Sequence, residues 1–126
     1  MSKIIVIGGG ASGMMAAGVA AQRGLPVLLI EKNQILGKKL LITGKGRCNI
    51  TNACDDVETL LSNVPTNPSF LYSSFYTFTN HQAIEFFENL GVPTKIERGG
   101  RVFPVSDNSA DIVSALTKFV KQNDFS

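Results

Sequence analysis

Residues 3–31 read KIIVIGGGASGMMAAGVAAQRGLPVLLIE, and this stretch decides the fold. Lys3 to Ile7 is a short apolar run that stops at glycine, the length and composition of a buried strand. From Ala11 to Arg23 the small residues Ala16, Ala17, Ala20 and Ala21 favour a helix, and Gly24 supplies its stop. Pro26 to Ile30 is a second apolar run, closed by Glu31. Strand, helix and strand in that order, with both strands apolar throughout, predict a parallel sheet covered on both faces: an α/β, Rossmann-like start.

Gly8, Gly10 and Gly13 stand between the first strand and the helix in G-x-G-x-x-G spacing. Gly8 allows the tight turn, Gly10 lets the backbone approach a pyrophosphate, and Gly13 lets helix and strand pack closely. The amides of Ala11, Ser12 and Gly13, at the positive end of the helix dipole, then face the anion. Glu31 closes the second strand 18 residues after Gly13, where a carboxylate can accept hydrogen bonds from a ribose diol. The same charge would repel a 2′-phosphate, which disfavours NADP. The bland alternative is a glycine turn beside an ordinary surface glutamate.

Composition supports one soluble domain. The chain has 126 residues with 44% hydrophobic and 17% charged side chains, too much apolar surface for a disordered segment. No run approaches the roughly 20 apolar residues of a membrane span. The triple glycine interrupts the apolar start, which argues against a secretory signal. Two cysteines make no disulfide framework, so a reducing, cytoplasmic location is expected, and the acceptor triplet Asn49, Ile50, Thr51 then carries no meaning. Residues 1–54 carry seven Lys or Arg against Glu31 alone, a net +6, whereas the rest carries −4; nine of the twelve glycines lie between Gly8 and Gly46, and every aromatic lies at Phe70 or later. A basic, glycine-rich front without aromatics suits backbone approach to an anion, although a solvated basic face has the same composition.

Residues 1–54 therefore read as the cofactor-binding strand–helix–strand unit with its Gly/Lys loop, and 55–126 as a helical and hairpin segment. Asp55 to Leu61 is a short helix; Phe70 to Phe78 and Gln82 to Leu90 are two more, the second capped by Thr79 or Asn80 and ended by Gly91. Lys95 to Glu97 and Arg101 to Phe103 flank Gly99 and Gly100 as a tight hairpin. Asn108 and Asp111 precede an amphipathic helix through Ile112, Leu116 and Phe119. A doubly wound dinucleotide fold needs a sheet of about five or six strands. Only two long apolar strands and a hairpin are legible, so the sequence reads as the front of a larger protein, or as a piece that completes its sheet with another polypeptide.

The stretch GKKLLITGKGRCNITN, residues 37–52, is too long and too particular for a plain connector. It is not a P-loop, because Gly44 and Lys45 are followed by Gly46. Together with IGGGASGMMAA near the start and GGRVFPVSDNSADIV at 99–113, it resembles the three-domain two-dinucleotide-binding flavoproteins that include aminoacetone oxidase and the bile-acid-inducible flavin reductase type. The resemblance covers this whole chain but only the first third or so of that family's length. It implies FAD, with the adenosine ribose on Glu31 and the pyrophosphate over Gly10 to Gly13. It further implies that Lys32, Lys39, Leu40 and the run Thr43, Gly44, Gly46, Arg47, Cys48 and Asn49 lie along the cofactor; basic residues near the flavin would stabilise its reduced, anionic form, and Lys45 and Arg47 are the candidates.

Other chemistry is thinly represented. Cys48 beside Arg47 reads either as an activated thiol or as a small packing residue near the cofactor, the second being favoured by the absence of a C-x-x-C pair. His81, the only histidine, reads as a solvent-facing residue, and no metal-ligand set is visible. Nucleic-acid binding is disfavoured because the basic front has no aromatics and the later aromatics fall at helical core spacing. No residue of this chain has the surroundings of a general base. The reading is the N-terminal FAD-binding portion of an oxidoreductase moving hydride on a small organic substrate, as an amine oxidase or as a reductase, with NAD(P)H or dioxygen as redox partner. A non-catalytic NAD or adenine-nucleotide sensor, and a piece that works only with a missing C-terminal remainder, are the alternatives.

Overall fold

A computed structural model describes residues 2–121, which divide by packing into two units, 2–48 with 106–121, and 49–105. The division falls at Cys48, a few residues before the compositional break after Cys54, because the final helix returns to the first unit and the short strand after Cys48 belongs to the second.

In the first unit, β1 (Ile4–Ile7) and β2 (Val27–Ile30) pair in parallel, Ile4 opposite Val27 through Ile7 opposite Ile30, joined by α1 (Ala11–Gln22). The expected α/β start is present. Its burial is not: Ile7 is 84% exposed, and Ile5, Leu28 and Ile30 are exposed as well. The reason is the extent of the sheet, two strands with α1 packed on them, where the reading assumed helices on both faces.

The buried core lies instead between α1 and α5 (Ser109–Lys121), where Met14, Ala17 and Ala21 meet Ile112, Ala115, Leu116 and Phe119. The alanine-rich face of α1 permits this close approach. A Cβ on Gly18 would sit 2.1–2.8 Å from ring atoms of Phe119, which is only 1% exposed and has nowhere to move. Gly18→Ala gains about 1 kcal/mol of helix propensity, yet overpacking a filled core costs about 1–3 kcal/mol. A lowered urea midpoint is therefore expected; an unchanged or raised midpoint would show that α1 and α5 do not meet there.

In the second unit, β4 (Thr94–Glu97) and β5 (Arg101–Pro104) form the expected antiparallel hairpin, turning through Gly99 and Gly100, both at positive φ. A third strand, β3 (Thr51–Asn52), pairs with β5 on its other side. Two polar residues carry no alternation, so this strand is invisible in the sequence. Helix α2 (Val57–Ser62) starts at Asp56, whose carboxylate caps the Thr59 amide at 2.7 Å. Helix α4 (Asn80–Asn89) starts at Thr79 with a complete Thr79–Gln82 capping box. The core gathers Val57, Leu61, Phe87, Val92, Val102 and Phe103.

The helix expected over Phe70 to Phe78 is broken into a 3-10 turn, Pro68–Leu71, and a short α3 (Tyr72–Thr77). Pro68 and the left-handed Asn67 fix that start. Its aromatics are not core residues. Phe70 is 80% exposed, and Tyr72, Tyr76 and Phe78 are exposed too, with the Tyr72 and Tyr76 rings 4.6 Å apart. Spacing alone misassigned them, because a six-residue helix offers less than two turns of buried face. Among the described residues no helix is long and apolar enough to cross a membrane.

Candidate nucleotide-binding site

The turn between β1 and α1 has the properties of an anion cradle. Gly8 sits at φ +103°, a conformation for glycine, and its amide continues the parallel ladder by donating to Ile30 O at 2.8 Å. Gly10 is the exposed N-cap of α1, and no side chain caps the helix. The first intrahelical bond runs from Met14 N to Gly10 O, so the amides of Ala11, Ser12 and Gly13 emerge at the helix start. A Cβ built on Gly10 meets nothing within 4 Å, whereas one on Gly13 would lie 1.8 Å from Gly8 O. One glycine leaves open space in front of the amides; the other lets the turn close.

Glu31 lies where the second strand delivers it. Its Oε1 accepts from Gly9 N at 2.9 Å and its Oε2 from Asn33 N at 2.6 Å. A carboxylate offers about four lone-pair sites, more than these two amides occupy. The Asn33 amide and then the Gly9 amide hold the Glu31 carboxyl below its ordinary pKa of 4.5. A depressed folded value means that the contribution is complete above the ordinary carboxylate range and is lost as pH falls through the folded pKa. After correction for the intrinsic pH dependence of exchange, protection of the Gly9 and Asn33 amides is thus expected to fall in the wild type as pH drops below the ordinary carboxylate range, and to show no such step in Glu31→Gln.

Gly9 escaped notice as the unassigned member of the motif. It is buried, donates to Glu31, and accepts from Gly37 N at 2.7 Å, so three segments converge on one residue. A Cβ there would press on Leu36 and on Glu31 Cβ at 3.2 Å. The triple glycine run was the available signal.

The segment Leu40–Gly46 is a set of tight turns flanked by Lys39 and Arg47. Gly44, Lys45, Gly46 and Cys48 all have positive φ. For Lys45 and Cys48, which carry side chains, this costs about 1–2 kcal/mol each. Arg47 N donates to Gly44 O and Cys48 N to Thr43 O, with Thr43 Oγ1 on Leu40 O at 2.7 Å. Cys48 is 3% exposed, and burial pushes its thiol pKa up, so it packs and is not an activated thiolate. Arg47 is engaged by Asp107, with Nε and Nη2 both 2.9 Å from Oδ1, and its charge is therefore shared with an acid absent from the sequence reading. Lys32, Lys39, Thr43, Gly44 and Lys45 are exposed, and Leu40 is half-buried.

Asn49 belongs to the second unit. With its amide nitrogen turned inward it donates to Thr51 O and Val102 O, at 3.0 and 3.2 Å, and so braces β3 and β5. His81 is exposed at the start of α4, and no metal-ligating cluster occurs among the described residues.

A strand, a glycine turn with open space at its helix N-terminus, and an acid pinned at the end of the next strand are the parts of a dinucleotide fold. Residues 2–126 match the family model described as the HI0933-like protein Rossmann domain. The chain belongs to that family. The HI0933-like domain is 39% identical to the 3-dehydro-bile acid delta(4,6)-reductase of Clostridium scindens over 118 residues, 92% of this chain and 28% of the reductase. It is 36% identical to the ribosomal RNA dihydrouridine synthase of Escherichia coli over 112 residues, 89% of this chain and 27% of the synthase. A shorter match, 50% over 44 residues, joins 35% of the chain to 7% of the cinnamate reductase of Clostridium sporogenes. The chain thus spans under a third of the length of these curated relatives.

Proposed function

We propose that the HI0933-like domain binds FAD as the front part of a flavin-dependent reductase. The observation that carries this reading is the open space at Gly10 before the α1 amides, which a side chain there would fill, served by the Glu31 carboxylate at the end of the next strand. The diphosphate would lie on the amides of Ala11 to Gly13 and the adenosine ribose would donate to Glu31, with Lys39 and the segment Thr43 to Cys48 extending toward the flavin. Bound FAD supplies two-electron redox chemistry, drawn from NADH or NADPH. The chain's own residues bind and orient the nucleotide, while Lys45, and Arg47 as modulated by Asp107, set the local charge.

Three of the relatives carry names of reduction or of a reduced product, a bile acid delta(4,6)-reductase, a ribosomal RNA dihydrouridine synthase and a cinnamate reductase, while a fourth is named an NADH oxidase. We therefore favour reduction of an α,β-unsaturated carbonyl over amine oxidation. A base within RNA is the second reading, because Phe70, Tyr72, Tyr76 and Phe78 offer exposed stacking faces. The net −4 of residues 55–126 works against a polyanion, so a small substrate is preferred. Anaerobic reduction of the purified FAD-loaded protein by NADH or NADPH, followed by mixing with an enone, a cinnamate or an RNA stem-loop, tests the choice. Reoxidation by the enone or cinnamate alone is expected; reoxidation by RNA alone supports the second reading, and by none of them overturns the class.

A further inference from the structure

We propose that Asp107 and Ser109, which no sequence motif assigned to the site, are positioning residues that hold the 40–48 segment in its ligand-ready shape; the ligand part of this inference rests on the FAD reading above. The segment is poorly suited to holding itself. Four of its last five residues adopt positive φ, two of them without the excuse of being glycine. Its internal ties are local, among them those to Leu40 O, Thr43 O and Gly44 O.

Two external ties come from one short stretch at the start of α5, and they bracket the turns. Ser109, 4% exposed, donates from Oγ to Leu41 O at 2.8 Å, ahead of the strained residues. Asp107 holds the Arg47 guanidinium between the left-handed Gly46 and Cys48. Asp107 is itself left-handed at φ +56°, a conformation that Asp tolerates better than most residues, and this presents its carboxylate to Arg47. Asn108, between the two, turns back on the helix start through Oδ1 to Ala110 N, which fixes the direction in which its neighbours project. The α5 scaffold is in turn locked on α1 by Phe119 against Gly18. A rigid helix pair thereby imposes the shape of a segment whose own backbone preferences oppose it.

The test compares Asp107→Ala, Asp107→Asn and Ser109→Ala with the wild type, by amide hydrogen exchange without ligand and by FAD titration. Glu97→Gln, which removes the ion pairs of the second unit to Lys95 and Arg101, serves as the control. In Asp107→Ala, exchange at the Arg47 and Cys48 amides is expected to rise about tenfold, FAD affinity to fall about tenfold, and the visible bands of bound flavin to move toward those of free FAD. Asp107→Asn keeps an acceptor and the left-handed conformation and should recover most of all three, a rescue that general destabilisation would not produce. Ser109→Ala should also accelerate exchange in 41–48, which keeps the test open should Asp107→Ala fold poorly. Unchanged exchange at Arg47 and Cys48 overturns the proposal whatever FAD does. Faster exchange with unchanged FAD affinity and spectrum overturns its ligand part, and a wild-type protein that takes up no FAD overturns the function reading itself.

Discussion

Gly13→Ala is expected to abolish FAD binding and to lower stability by about 3 kcal/mol or more, at the upper end of overpacking costs. The added methyl would lie 1.8 Å from Gly8 O and 2.9 Å from Gly8 C, and both are backbone atoms of a turn already committed to the ladder through Gly8 N. No rotamer change relieves that clash. The roughly 1 kcal/mol of helix propensity gained by alanine is too small to offset it. The informative companion is Gly10→Ala. Gly10 has φ −83° and ψ −166°, accessible to alanine, and its Cβ would meet no protein atom within 4 Å. Urea unfolding should therefore leave Gly10→Ala near the wild type while FAD binding is lost, because the methyl fills the space read as the diphosphate's. Retention of FAD by Gly10→Ala would remove the ligand from that space.

Glu31→Ala carries the second large effect. Two charge-assisted bonds from Gly9 N and Asn33 N disappear, and the ribose loses its acceptor. FAD affinity should fall about a hundredfold, the size expected from removing a charged hydrogen-bond partner. Glu31→Gln keeps one carbonyl acceptor and should fall between the two. The nucleotide's own chemistry offers a check: 2′-deoxy-ADP should bind Glu31→Ala as well as ADP does, yet bind the wild type less tightly than ADP. Equal preference for ADP in both proteins would place Glu31 away from the ribose.

Much of this was legible in residues 3–31, because a parallel pair joined by an alanine-rich helix needs only local apolar runs and a glycine turn to declare itself. The caps at Thr79 and Asn108 were legible for the same reason: capping is written in residues two or three apart. The exposure of β1 and β2 was not, since an apolar run reports what a strand can bury and not what lies over it. The Phe70 to Phe78 aromatics show the same limit at shorter range, where periodicity matched a helix that Asn67 and Pro68 reshape. Within the candidate site, Glu31 and the motif glycines were found by spacing. Asp107 and Ser109 lie 60 and 68 residues from their partners, and no local pattern couples them.

Competition binding tests the central claim most directly. FAD bound to the purified protein is titrated with ADP and, separately, with riboflavin, and release is followed by flavin fluorescence. If the glycine turn and Glu31 hold the adenosine diphosphate half, ADP displaces FAD and riboflavin at the same concentrations does not. Displacement by riboflavin, with ADP without effect, would contradict the claim.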